Sequence, residues 1–187
     1  MTLWGGRFSA NQSEALAALS RSVQFDWRLA PYEIRVNAAH LANLRDIGVI
    51  TSADFEKLHH ALKYLNQKIS SGDFLPKAED EDVHSAIERG LREDLGDLGG
   101  ALRAGRSRND LVVTDFKLYL IDHLLHVSSQ IINLQEALIA QAEKCGSVIA
   151  PGFTHLQHAQ PILFAHELLK HVHGLQRDIS RIQDWFQ

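Results

Sequence analysis

Apolar residues recur along this chain at spacings of three and four, as on helices that bury one face. No stretch alternates convincingly at period two. The pattern predicts an all-α fold. A first long helix is expected from about Arg28 to Ile47, with Asp26 as its cap, Pro31 in its first turn and Gly48 as its stop. Thr51-Ser52-Ala53-Asp54 has a capping-box pattern and opens a second helix reaching about Ser71, closed by Gly72. After a turn through Pro76, Asp80 is expected to cap a short helix on which Val83, Ile87 and Leu91 share a face.

A much longer helix is predicted from Asp110 to about Lys144, ahead of Gly146. Val113, Phe116, Leu120, Leu124, Val127, Ile131, Leu134 and Leu138 form its seam. Leu118, Ile121, Leu125, Ile132 and Ile139 form a second stripe, and a helix apolar on two sides needs several partners. A last helix is expected to begin near Pro161 and to carry Phe164, Leu168, Val172, Leu175, Ile179, Ile182 and Phe186. That stripe still runs at Gln187, so the chain is expected to stop inside a helix, its apolar faces covered by further helices or other subunits. Glycines 90, 96, 99, 100 and 105 crowd one segment. They mark the expected boundary between an N-terminal helical domain, residues 1–108, and the beginning of a bundle of long helices, residues 109–187.

Composition narrows the class. The 187 residues are 45% hydrophobic and 22% charged, which reads as globular rather than disordered. A net charge of −4 gives no support to a nucleic-acid or anionic-membrane binder. The single cysteine, Cys145, excludes an intrachain disulfide and fits a reducing compartment. There is no signal-peptide pattern and no run approaching the roughly 20 apolar residues of a membrane span, so a cytoplasmic location is expected.

Candidate chemistry lies in two segments flanking the longest helix. In Gly105-Arg106-Ser107-Arg108-Asn109-Asp110, two arginines stand where a helix N-terminus exposes unpaired N–H groups, a site suited to a carboxylate or phosphate. The plainer reading is a solvated loop with an ordinary cap. Gly100–Ser107 nearly matches a phosphate loop, but arginine holds the lysine position and no strand precedes it. In Pro151–Pro161, Thr154, His155 and Gln157 place a hydroxyl, an imidazole and an amide together, expected at a helix start. Histidine suits proton transfer near neutral pH. The plainer reading is a capping threonine and a structural histidine. At the helical rise, about thirty-five residues separate the two segments by roughly 50 Å. Antiparallel association of subunits would bring them together, which predicts an active site at a subunit interface.

Six of the eleven histidines form sequence pairs, His123 with His126, His155 with His158, and His171 with His173, but none completes a recognisable metal-ligand spacing. His84 and Glu88 stand one helical turn apart, as in an ordinary surface hydrogen bond. No metal site is expected.

Four segments together resemble argininosuccinate lyase: Leu3-Trp4-Gly5-Gly6-Arg7-Phe8, Glu81-Asp82-Val83-His84 with Ile87-Glu88, Gly105–Asp110, and Thr154–Pro161. The resemblance runs over essentially the whole chain and covers about the first two-fifths of a typical member. It implies the first long helices of a fumarase/aspartase-type central helical bundle. It also implies a homotetramer whose active sites collect segments from three subunits. The implied reaction is a cofactor-free elimination that splits the small-molecule substrate argininosuccinate into arginine and fumarate. Arg108 and Asn109 would hold substrate carboxylates, supported by Ser107 and Arg106. Thr154 would bind substrate, with Gln157 beside it, and His155 would take part in proton transfer. Neither a nucleic-acid nor a membrane partner is implied.

Three departures qualify the resemblance. Ala101-Leu102-Arg103-Ala104 stands where the family usually has Lys-Leu-His-Thr. Asn37, in Glu33-Ile34-Arg35-Val36-Asn37, stands where the family usually has a substrate-contacting serine. The family's serine-bearing loop, which supplies the base, has no counterpart in these residues. Little or no lyase activity is therefore expected of the 187-residue chain alone. A non-catalytic lyase-fold assembly partner, or a sibling lyase acting on another succinyl amine, are the alternative readings.

Overall fold

The structure, a computed structural model, describes residues 13–187; the Leu3–Phe8 segment lies outside the described residues. Ser13 caps α1 (Glu14–Ser20), and a short α2 (Val23–Asp26) runs into a 3-10 turn at Trp27–Leu29. The first long helix, α3 (Ala30–Asp46), then begins with Pro31 in its first turn and is followed by Gly48 at φ 76°. Asp26 is not its cap, contrary to expectation. Its carboxylate accepts from Ser22 Oγ at 2.6 Å and from the Val83 amide at 3.0 Å, tying α2 to a helix far along the chain.

α4 (Ser52–Ser71) follows its local signals closely. The Thr51 hydroxyl accepts from the Asp54 amide at 3.1 Å, and Gly72 closes the helix in the left-handed conformation that glycine adopts most readily. α5 (Val83–Leu95) is capped by Asp82 rather than Asp80. Asp82 accepts from the Ser85 amide at 2.8 Å, and Ser85 Oγ accepts from the Asp82 amide at 3.0 Å. Asp80, two residues earlier, instead turns to the Lys77 amide at 2.7 Å and Arg89 at 2.9 Å. The periodicity places Val83, Ile87 and Leu91 on one face, and all three are buried among Leu41, Leu58 and Leu62.

The glycine-rich stretch forms a 3-10 segment, Gly96–Arg103, packed on α5. A Cβ at Gly99 would meet the Leu91 backbone at 2.6 Å, so only glycine permits this approach. α6 (Arg108–Cys145) follows as a 38-residue helix, with Gly146 beyond its end at φ 51°.

The last expected helix begins later than predicted. Residues around Pro161 form a hairpin instead: β1 (Ile149–Thr154) pairs antiparallel with β2 (Gln157–Leu163), with Pro151 opposite Pro161 and Thr154 opposite Gln157. The register shifts between Pro151 and Phe153. α7 (Phe164–Trp185) starts only after β2. Among the described residues the framework is thus all-α, as the periodicity predicts, with one two-stranded sheet that it does not.

By compactness the chain divides into two units, Met1–Tyr119 and Leu120–Gln187, so the division falls within α6. The first unit holds the α3–α4–α5 core. In the second, Gln135 donates to the Val172 carbonyl at 3.0 Å and Ile179 is buried. No helix among the described residues is long and apolar enough to cross a membrane.

Candidate functional site

Within the first unit a cavity of about 170 Å³ opens where α3, α5, the 3-10 segment and the start of α6 meet. Its wall includes Glu33, Asn37, His84, Glu88, Arg103, Arg106, Ser107 and Arg108. Three predicted site residues, Asn37, Ser107 and Arg108, therefore line one space.

The loop that carries the arginines is held by local bonds. His40 Nε2 lies 2.9 Å from the Ala104 carbonyl. The Ser107 amide donates to Asp110 at 3.1 Å, and Ser107 Oγ accepts from the Asn109 amide at 3.2 Å, which sets the first turn of α6. Arg106 Nη2 donates to Asn37 Oδ1 at 2.7 Å, and Arg108 Nη2 donates to Asp82 Oδ1 at 2.5 Å. Each arginine keeps one buried nitrogen without a partner, Nη1 in Arg106 and Nε in Arg108. Buried donors normally find an acceptor, so two orphans beside a cavity suit an anion able to accept from both. Asn109, predicted with them, is exposed and does not line the cavity.

An acidic group that local sequence patterns do not reveal stands beside the arginines. Glu33 accepts from Asn37 Nδ2 at 3.3 Å through one oxygen and pairs with His84 Nδ1 at 2.8 Å through the other. His84 therefore engages Glu33, 51 residues away, and is buried rather than on the surface. Glu88 instead meets Arg92 at 3.1 Å and Arg103 at 3.6 Å. Asp115, fully buried on α6, lies 3.9 Å from His84, and neither of its oxygens has a hydrogen-bond partner. Burial, followed by the charge of Glu33, pushes the Asp115 carboxyl up to about 7; His84 and Arg106 oppose this. Burial alone would depress the His84 imidazole, but its hydrogen bond to Glu33 and the charges of Glu33 and Asp82 lift it above its ordinary 6.5.

Thr154, His155 and Gln157 lie in the second unit, on the exposed β1–β2 hairpin rather than at a helix start. His155 and Leu156 form its two-residue turn at φ 48° and 64°. That conformation is uncommon for any residue with a Cβ and costly for a bulky one. The usual hairpin signal is Asn-Gly or Asp-Gly, so His-Leu gave the turn no local mark. Leu156 is 94% exposed, and the strained turn presents His155 on the surface.

Comparison with known proteins places the chain in a family. Residues 6–187 match a family described as Lyase. Over 183 residues the chain is 52% identical to an argininosuccinate lyase of Acidothermus cellulolyticus, covering 98% of this chain and 37% of that protein. It is likewise 52% identical to one from Frankia casuarinae, covering 99% of this chain and 40% of the relative. The chain thus spans about two-fifths of the length of these curated relatives. Among solved structures it resembles EDDS lyase in complex with formate, with a TM-score of 0.71 and 22% identity over 90% of this chain and 32% of the other. It also resembles a fumarate lyase from Mesorhizobium, with a TM-score of 0.67 and 18% identity over 95% of this chain and 41% of the other. These structural likenesses carry the fold.

Proposed function

Because this chain belongs to the lyase family, we propose that it carries part of an argininosuccinate lyase, which releases arginine and fumarate by breaking a carbon–nitrogen bond. The observation that carries the reading is the cavity, where Arg106 and Arg108 each keep a buried unpaired nitrogen close to Asn37 and Ser107. A succinyl group presents two carboxylates to such donors.

In this reading a base removes a proton from the carbon next to one succinyl carboxylate. The electron pair moves into that carboxylate, which becomes doubly charged. It then returns to form the double bond of fumarate as the carbon–nitrogen bond breaks, and an acid protonates the departing guanidino nitrogen. Donors fixed in place before the charge develops lower the barrier. Arg108, Asn109, Ser107 and Asn37 would hold the substrate, with Thr154 and Gln157 assisting, and His155 would move a proton.

Residues 1–108 would form the N-terminal domain and 109–187 the start of the central bundle. The two groups of site residues belong to different compact units, and association of four copies would let the hairpin of one copy serve the cavity of another. Exposed Val113, Phe116, Val127 and Leu134 on α6 support such association. We place the enzyme in the cytoplasm, where amino-acid synthesis needs it.

The test is fumarate formation from argininosuccinate by the whole polypeptide, followed by ultraviolet absorbance. Arg108→Ala is expected to lower kcat/KM by at least about 10²-fold, the scale of losing one charge-stabilising donor. A folded whole protein that forms no fumarate, or Arg108→Ala at full rate, would overturn the reading. Arg103 lies at the cavity wall, where the resemblance implies a histidine, and favours a second reading: a sibling lyase for another succinyl amine. Turnover of such an amine, with argininosuccinate untouched, would select it.

A further inference from the structure

We propose that Glu33, His84 and Asp115 together bind one divalent metal ion of the zinc, cobalt or manganese class. Three helices, α3, α5 and α6, each contribute one of these residues. One ligand atom from each lies within 4.8 Å of the other two. All three side chains are buried, at 2%, 8% and 0% exposure.

The second observation is independent of that clustering. Both Asp115 oxygens lie in the interior without a hydrogen-bond partner. A buried carboxylate without a partner is among the costliest arrangements in a protein interior, and a coordinated cation is one of the few groups that relieves it. The geometry suits one ion. Ligands about 2.1 Å from a tetrahedral metal stand about 3.4 Å apart. The His84 contacts with Glu33 and Asp115, at 2.8 and 3.9 Å, bracket that spacing, so small side-chain movements would complete the site.

The donor set argues for the class of metal. One imidazole nitrogen and two carboxylates favour zinc, cobalt, manganese or ferrous iron over copper(I), which prefers sulfur. Glu33 and His84 also line the cavity. A fourth coordination position could therefore face water or a small anion there. Arg106 is the opposing term, since its charge acts on both Glu33 and Asp115. It does not occupy the site, because its Nη2 is engaged by Asn37 and no hydrogen bond joins it to Asp115. Two carboxylates against one guanidinium leave room for a single divalent ion.

The experiment uses the whole polypeptide, stripped with a chelator and titrated with Co²⁺ while visible absorption is recorded, with Zn²⁺ followed by calorimetry. One ion per chain is expected, together with a rise in melting temperature that the chelator reverses. Asp115→Asn and His84→Gln, confirmed as folded by circular dichroism, should each weaken binding by at least tenfold. Cys145→Ser should leave it intact. Absence of both stoichiometric binding and the melting shift in the unaltered protein overturns the proposal, whatever the variants do. Binding that survives Asp115→Asn, or disappears with Cys145→Ser, also overturns it. If Asp115→Asn melts at or above the unaltered protein, which itself ignores metal, the cluster holds a proton instead.

Discussion

Asn37 joins the acidic and basic halves of the cavity wall. It donates to Glu33 and accepts from Arg106 at 2.7 Å, and it is 3% exposed. Asn37→Ala leaves the Arg106 guanidinium with a second buried nitrogen unpaired, and an unsatisfied buried polar group costs about 1–3 kcal/mol. We expect a stability loss of that size in urea denaturation, with little change in slope. A loss below about 0.5 kcal/mol, the scale of a typical surface substitution, would show that water replaces the asparagine. Arg106 and Arg108 were legible as chemical types, because a donor-rich loop before a long apolar helix suits an anion, whereas Asn37 stood out only through the family resemblance. Local pattern did not show that Glu33, His84 and Asp115 gather beside them. The pair His84–Glu33 spans 51 residues, and no local spacing encodes a contact made by packing three helices.

Elements with strong local signals were the most legible. α4 has a hydroxyl cap at one end and glycine at the other, both acting within a turn, and its predicted limits match the structure. The start of α5 was less certain because two aspartates stand two residues apart. Asp82 caps it, while Asp80 is drawn off by Arg89. The hairpin was illegible. Its turn residues, His155 and Leu156, adopt left-handed backbone without the glycine or asparagine that announces it. Leu156→Gly should relieve strain of about 1–2 kcal/mol, partly offset by the roughly 0.5–1 kcal/mol of backbone freedom that glycine loses on folding. Melting should hold or rise by the equivalent of up to about 1.5 kcal/mol, with faster hydrogen exchange excluded at the Thr154 and Gln157 amides. Clear destabilisation would mean that the Leu156 side chain makes a contact the exposed turn does not show.

At the scale of the molecule, α6 leaves Phe116, Leu125, Val127 and Leu134 at 51%, 58%, 44% and 50% exposure. In the proposed tetramer this apolar surface would be covered by neighbouring copies. Sedimentation of the whole protein should report a multiple of the monomer mass. Leu134→Glu should shift it toward the monomer while preserving helix content, since burying an unpaired carboxylate opposes association. A monomer before substitution would contradict the tetramer reading. By itself the sequence determined the helical framework, the donor-rich loop and the apolar stripes of the long helices, because periodicity, caps and charged clusters act over a few residues. Only the tertiary structure decided where the distant groups meet. The Asn37–Arg106 bond, the buried Glu33–His84–Asp115 cluster and the hairpin bearing His155 depend on how helices and strands pack. That packing follows from summed burial along the whole chain rather than from any short stretch of it.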